Sequence, residues 1–477
     1  MLEKYKKNLF NILDYAALFL YLYVIFSVFL QFFNSNHTEF WGFTALLVKL
    51  ATLAIASLKI LLSIKSNLRF SVISLFALTI SFCYYFFQYH TDVHSYLYIG
   101  TELLDLTAML IALYGINTNR LLKDYIAVRG TCFAIAVVAA FFNILPSNRN
   151  YISDRPGVWD MGLIHHNIPS IFFFFITIAW LIVVSKSKYR LVHYFFILSI
   201  SIILSVVTTS RTSVFVIVLG IILYIIIYCS EKIDNKAIQA LLSIFSKCAL
   251  ICPLLVFVVS IGGGIIWNYY ESNNNVLKQS FIYNMISRFR ALSEDFAVHG
   301  IPLPFKNIIQ TASYNWFLGG QISTGYSDNT VHKLVIKYGI LFTVVLYSFL
   351  QYWAIKAYKR QNYSDLVIIS MLCIFSVMEP QGIDYTYNPL YCLITTTGIC
   401  SEPVPIQNSN PISKKILLTL LCEGLVFIIT TIYMIPIFKY QIETGQKHDY
   451  FLLWSMMIII LVLIATKLLW PEKNPRD

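Results

Sequence analysis

This sequence predicts an all-α, polytopic integral membrane protein of about fourteen transmembrane helices with one large external loop. Three observations predict it. The 477 residues are 58% hydrophobic and only 12% charged, more apolar surface than a soluble chain could keep from water. Apolar runs long enough to cross a hydrocarbon core of ~30 Å recur along the whole chain. One conspicuous hydrophilic stretch, Trp267 to about Val331, interrupts them.

Residues 1–267 hold the first nine predicted spans: Phe10–Phe33, Phe40–Ile64, Phe70–Gln88, Tyr96–Ile116, Tyr125–Leu145, Met161–Val184, Leu191–Thr208, Ser213–Tyr228 and Ala249–Trp267. Residues 268–330 form the large loop. Residues 331–477 hold Val331–Ile355, Asp365–Val377, Asn388–Cys400, Ile416–Phe438, Tyr450–Leu469 and a cytoplasmic tail. A few runs are short and read as tilted or partly re-entrant. The first run is long enough to span and lacks a small-residue cleavage site, so it reads as a helix rather than a cleaved leader. The cysteines lie almost all in apolar runs and none is in the loop, which argues against a disulfide framework or a metal spacing. No internal repeat is evident.

Lysine and arginine set the orientation, because they are retained on the cytoplasmic side. With the N-terminus inside, every short inner loop is basic, and most of the 35 basic residues fall on inner loops and inner span ends, Lys59 and Arg129 among them. The outer connections around His37 and His90 carry neither Lys nor Arg. Both termini are therefore expected in the cytoplasm. The net charge of +11 follows from this topology and calls for no nucleic acid.

Arginines on the outer side run against that trend. They are Arg149 and Arg155 in Pro146–Asp160, Arg211 in Thr208-Thr209-Ser210-Arg211-Thr212-Ser213, and Arg288 and Arg290 in the large loop. Arg211 sits in a short polar break between two apolar runs, at the outer boundary and among hydroxyls. A planar fork of donors there suits a membrane-anchored diphosphate. Snorkelling to lipid headgroups is the competing reading.

The large loop has internal order of its own. Leu277, Phe281, Met285, Phe289, Leu292 and Phe296 recur at three- and four-residue spacing, as on one face of an amphipathic helix. Arg290 has Glu294 four residues on and reads as half of a surface ion pair. Arg288 lacks such a local partner in sequence and is the better candidate ligand. At the loop's end, Asp328 or Asn329 would cap the helix beginning near Thr330. Asp328 is open to both capping and catalysis.

Other outer groups complete the candidate set. Gly162-Leu163-Ile164-His165-His166-Asn167 opens the sixth predicted span and reads as a sugar-contacting lip, because adjacent histidines in a helix diverge and no third metal ligand is evident. Glu379, Asp384 and Tyr385 lie in the short outer loop Glu379–Tyr387, where they suit hydroxyl recognition or acid–base work. Lys49, Glu102, Asp105 and Glu423 lie at membrane depth, where ion pairing is the expectation.

These residues resemble the oligosaccharide repeat-unit polymerases of bacterial capsule, exopolysaccharide and O-antigen synthesis, which are related to the O-antigen ligases. Four features carry the resemblance: Ile164-His165-His166-Asn167 opening a span, Thr209-Ser210-Arg211-Thr212-Ser213 between spans, Ser287-Arg288 in one large external loop, and Asp328-Asn329 ahead of Tyr338-Gly339-Ile340. The ligases usually show His-Asn at the last site. Here Asp328 stands in the histidine's place, which favours the polymerase branch, with His332 one turn on as a possible substitute.

The resemblance implies a GT-C-like, metal-independent inverting glycosyltransferase without cofactors, in the bacterial cytoplasmic membrane. Its donor and acceptor would be oligosaccharides on undecaprenyl diphosphate. A flippase and a chain-length regulator would be its protein partners. In that reading Arg211 and Arg288 neutralise the leaving diphosphate and Asp328 takes the acceptor's proton. Arg155, His166, Asn167, Arg290, Asn329, His332 and Glu379 would bind the substrate. A lipid-linked oligosaccharide flippase and an O-antigen ligase are the alternatives.

Overall fold

The structure is a computed structural model, and it describes residues 2–31, 38–64, 66–89, 103–142, 159–161, 163, 167–185, 187–208, 210, 212–233, 235–273, 329–383 and 386–391. Among these the architecture is all-helical. The helices are α1 (Leu2–Gln31), α2 (Thr38–Ser63), α3 (Leu68–Tyr89), α4 (Leu103–Ala112), α5 (Thr118–Phe141), α6 (Ile168–Val184), α7 (Arg190–Thr208), α8 (Thr212–Ser230), α9 (Lys236–Asn273), α10 (Thr330–Lys359) and α11 (Tyr363–Met378). A 3₁₀ turn, Pro380–Ile383, follows α11. Each helix falls on one of the first eleven predicted spans.

Among the described residues, six helical stretches are long and apolar enough to cross a membrane: Asn8–Phe29, Leu46–Ser63, Thr118–Phe141, Arg190–Thr208, Thr212–Ser230 and Lys236–Gly264. Their outward residues are apolar. On α7, Val192, Phe195, Ile203 and Val206 are exposed, and α3 and α9 carry similar faces. A soluble protein rarely exposes such continuous apolar surface, whereas a bilayer solvates it. The protein is a helical membrane protein.

Element boundaries depart from the predicted spans where backbone chemistry intervenes. The fourth run, Tyr96–Ile116, is helical over only ten described residues, and the chain leaves α4 through Gly115 at φ +85°, which L side chains rarely adopt. The sixth starts at Ile168 instead of Met161, which itself takes a left-handed φ of 51°. α9 runs to Asn273, past the expected end at Trp267, and starts at Lys236 instead of Ala249. Asn388–Tyr391 form turns rather than the start of the twelfth span, with the Asn388 side chain accepting from Leu390 N–H at 3.0 Å. The rest of that span, the thirteenth and fourteenth spans and the loop helix lie outside the described residues.

Two compact units emerge from the packing: residues 1–81, 96–210 and 385–477, and residues 82–95 and 211–384. In the first, Ala56 and Ile60 of α2 pack on Ala108 and Ile111 of α4, so the two helices run parallel. Buried charges sit between them. Lys49 meets Asp105 at 3.3 Å. Lys59, fully buried, meets Asp14 of α1 and the carbonyls of Ala112 and Tyr114, the latter at 3.0 Å. Ion pairing at membrane depth is thus realised for Lys49 and Asp105, while Glu102 and Glu423 are outside the described residues. Lys59 and Arg129 were expected at inner span ends. Both are fully buried, because α2 and α5 fold them inward against other helices.

In the second unit α9 packs against α10 and α11, and α11 packs also against α8 and α10. Gly220 of α8 faces Met371 of α11, and the Tyr224 hydroxyl donates to Ser364 O at 3.3 Å. Trp353 of α10 donates to Asp365 at the start of α11 at 3.1 Å. These pairings bring the N-termini of α8 and α10 and the C-terminus of α11 to one end of the unit.

Candidate functional site

That end collects the polar chemistry of the second unit. Asn329 takes an extended backbone (φ −117°, ψ 123°) and caps α10, its Oδ1 accepting from His332 N–H at 3.1 Å. Its Nδ2 donates to Ser260 Oγ on α9 at 3.1 Å, so one side chain ties two helices. The next residue, Thr330, donates its hydroxyl to the backbone carbonyl of Glu379, which ends α11 in extended conformation. Asn329, Thr330 and His332 are all buried to within 1% of complete, and Glu379 is 6% exposed.

The 3₁₀ turn after Glu379 presses close on Thr330. A Cβ at Gly382 would lie 2.7 Å from Thr330 Oγ1 and 3.1 Å from Ser376 Oγ. Glycine is what allows that approach. Two buried polar atoms at this end make no hydrogen bond: Ser213 Oγ, in the first turn of α8, and Gln381 Oε1, in the 3₁₀ turn. Buried polar atoms are nearly always paired, so each of these two has hydrogen-bonding capacity to spare.

The sequence-derived candidates divide accordingly. Asn329, His332 and Glu379 come together in the second unit, and Asn329 carries a capping and helix-tying duty there. The cap of α10, open between Asp328 and Asn329 in sequence, is Asn329. Asn167 lies in the first unit at the N-cap position of α6 and makes no side-chain capping bond. In that unit the Ser170 and Thr208 hydroxyls meet at 3.1 Å, and Trp159 N–H donates to Val207 O at 3.1 Å. Arg155, His165, His166, Arg211, Arg288, Arg290, Asp328, Asp384 and Tyr385 lie outside the described residues. Among the described residues, no group of three His, Cys, Asp or Glu side chains is arranged to hold a metal ion.

Thr330, Ser213, Gln381 and Gly382 escaped sequence reasoning. Ser213 had a signal, since it flanks Arg211 in the polar break. Gln381 had a weaker one, as a neighbour of Glu379 in the short outer loop. Thr330 and Gly382 matter only through contacts distant in sequence.

Comparison with known proteins returns no match to a family model, to a curated protein or to a solved structure.

Proposed function

We propose that the protein polymerises oligosaccharide repeat units carried on undecaprenyl diphosphate, at the outer face of the bacterial cytoplasmic membrane, as a metal-independent inverting glycosyltransferase of GT-C-like architecture. About fourteen spans, cytoplasmic termini and an external loop complete this reading. The observation that carries it is the cluster of Asn329, Thr330, His332 and Glu379 at the end of the second unit where α8 opens with Thr212 and the unsatisfied Ser213. Arg211 immediately precedes that turn in sequence, and Asp328 immediately precedes the capping residue.

The chemistry follows from these groups. The Arg211 and Arg288 guanidiniums offset charge as the diphosphate departs, a role suited to bidentate donors. Asp328 removes the proton of the attacking acceptor hydroxyl. Asn329 and Thr330 hold the start of α10, which carries His332 and follows Asp328 in sequence, against α9 and the Glu379 turn.

A lipid-linked oligosaccharide flippase is the second reading. It draws on the buried charges Lys49, Asp105, Lys59 and Arg129 within the helices of the first unit. Its weakness is that both lysines are already neutralised by carboxylates. Glycan analysis of a deletion strain separates the two. Export of single repeats is expected for a lost polymerase, whereas retention of repeats inside the cell would replace this proposal with the flippase.

A further inference from the structure

Arg129 stands midway along α5 and is fully buried in the first unit. Its guanidinium carbon lies 3.7 Å from the centroid of the Phe172 ring and 4.7 Å from that of Tyr387. The two rings are themselves 5.2 Å apart at 62°, so they form a corner around the cation and not a sandwich. The Tyr125 hydroxyl donates to Tyr387 O, which fixes one wall of that corner to α5. Nη1 of Arg129 donates to Ile25 O of α1 at 3.3 Å.

Nε and Nη2 make no hydrogen bond. These two nitrogens share one edge of the planar group, and their N–H bonds point the same way. That edge grips a two-oxygen anion side-on. Among the described residues of the unit, Lys49 meets Asp105 and Lys59 meets Asp14. Arg129 has no ion pair among the described residues. Two rings with one carbonyl offset only part of the hydration that a buried guanidinium loses.

We propose that the Nε/Nη2 edge of Arg129 is an oxyanion site that holds a carboxylate or phosphate group in bidentate fashion inside the first unit. The group has two possible sources: a small bound anion, or a carboxylate of this chain. The inference is independent of the polymerase reading, because it rests on the Nε/Nη2 edge of Arg129 and not on the α10 cluster.

The test uses the full chain purified in detergent and exhaustively desalted. Ion chromatography of the denatured protein counts released phosphate, and thermal midpoints are measured with sodium phosphate or sodium chloride at equal ionic strength. For a bound anion, the wild type releases about one equivalent or shows a saturable, phosphate-specific rise in midpoint. Arg129→Lys, which keeps the charge and loses the fork, shows neither. For a chain carboxylate, no phosphate is released. Arg129→Lys then lowers the midpoint, and its effect is non-additive with Glu102→Gln or Glu423→Gln, the two remaining carboxylates that the sequence sets at membrane depth. No released phosphate, no phosphate response and purely additive effects with both glutamates would overturn the site. So would Arg129→Lys matching the wild type in every measurement.

Discussion

The hydroxyl of Thr330 donates to the backbone carbonyl of Glu379, joining the first turn of α10 to the residue that ends α11. Through this contact a capping residue, a buried histidine and a carboxylate from a separate short loop share one end of a helix bundle. A carbonyl at a helix C-terminus and a hydroxyl at a helix N-terminus each need a partner once water is excluded, and here they supply one another.

Gly382→Ala tests how tightly that junction is built. The new methyl would meet Thr330 Oγ1 at 2.7 Å, against a turn whose backbone cannot easily retreat. A loss of about 1–3 kcal/mol is expected, as for overpacking. Thr330→Val should cost about 1 kcal/mol by removing the hydrogen bond to the Glu379 carbonyl. Because the two residues touch, the double variant should lose less than the sum, measured by chemical or thermal unfolding in detergent.

Asn329→Ala removes the cap of α10 and its tie to Ser260 together. The expected loss is about 1–2 kcal/mol. Ser260→Ala should lose less, since only one hydrogen bond goes, and the Asn329→Ala background should make Ser260→Ala nearly silent. Equal effects of Ser260→Ala in both backgrounds would show that the α9–α10 tie contributes nothing.

The ion pair of Lys49 with Asp105 is nearly buried on both sides, at 12% and 6% side-chain exposure. Breaking it from one side strands a charge. Lys49→Met or Asp105→Leu alone should cost about 3–5 kcal/mol, while the double variant should recover most of the loss. Unfolding midpoints of the four proteins measure this, and a double variant as unstable as the worse single would refute it.

The arginine pair of the loop separates ligand from scaffold. Arg211→Ala or Arg288→Ala should reduce polymerisation by roughly 10²–10³ with the protein still in the membrane. Lys at either position should rescue only in part, since it lacks the planar fork. Arg290→Ala should be mild, because sequence offers Glu294 as its surface partner. Glycan length distributions at matched expression are the readout, and equal mild effects at 288 and 290 would remove Arg288 from the site.

Orientation is the most economical check of the functional reading. A reporter fused after Asn307 should read as external, and fusions after Lys236 or Asp477 as cytoplasmic. A cytoplasmic Asn307 would put the loop on the wrong side for any lipid-linked donor at the outer face.

Helix placement was largely legible in the sequence because a bilayer demands one simple thing, a run of about 20 apolar residues. Ends were less legible because they depend on single residues, such as Gly115 after α4 and Met161 ahead of α6. In the candidate site, the Asn329 cap could be narrowed to one of two neighbouring residues, since capping is a local interaction. The Thr330–Glu379 bond could not be foreseen, because it joins positions 49 apart. Arg129 was counted as an inner-side marker because charge counting uses position along the chain. Its burial is decided by Ile25, Phe172 and Tyr387, none of them near it in sequence.

The ten described residues of α4 rise by ~15 Å from Leu103 to Ala112. Lys49 holds Asp105 in its first turn, and Lys59, ten residues further along the parallel α2, holds the carbonyls of Ala112 and Tyr114 at its other end. The two lysines therefore act as a gauge. Adding one residue to α4 would shift one end by ~1.5 Å and turn it by ~100° against the other, so only one of the two grips could survive. A helix held in this way resists sliding along its neighbour, because any shift would have to break one of the two lysine grips.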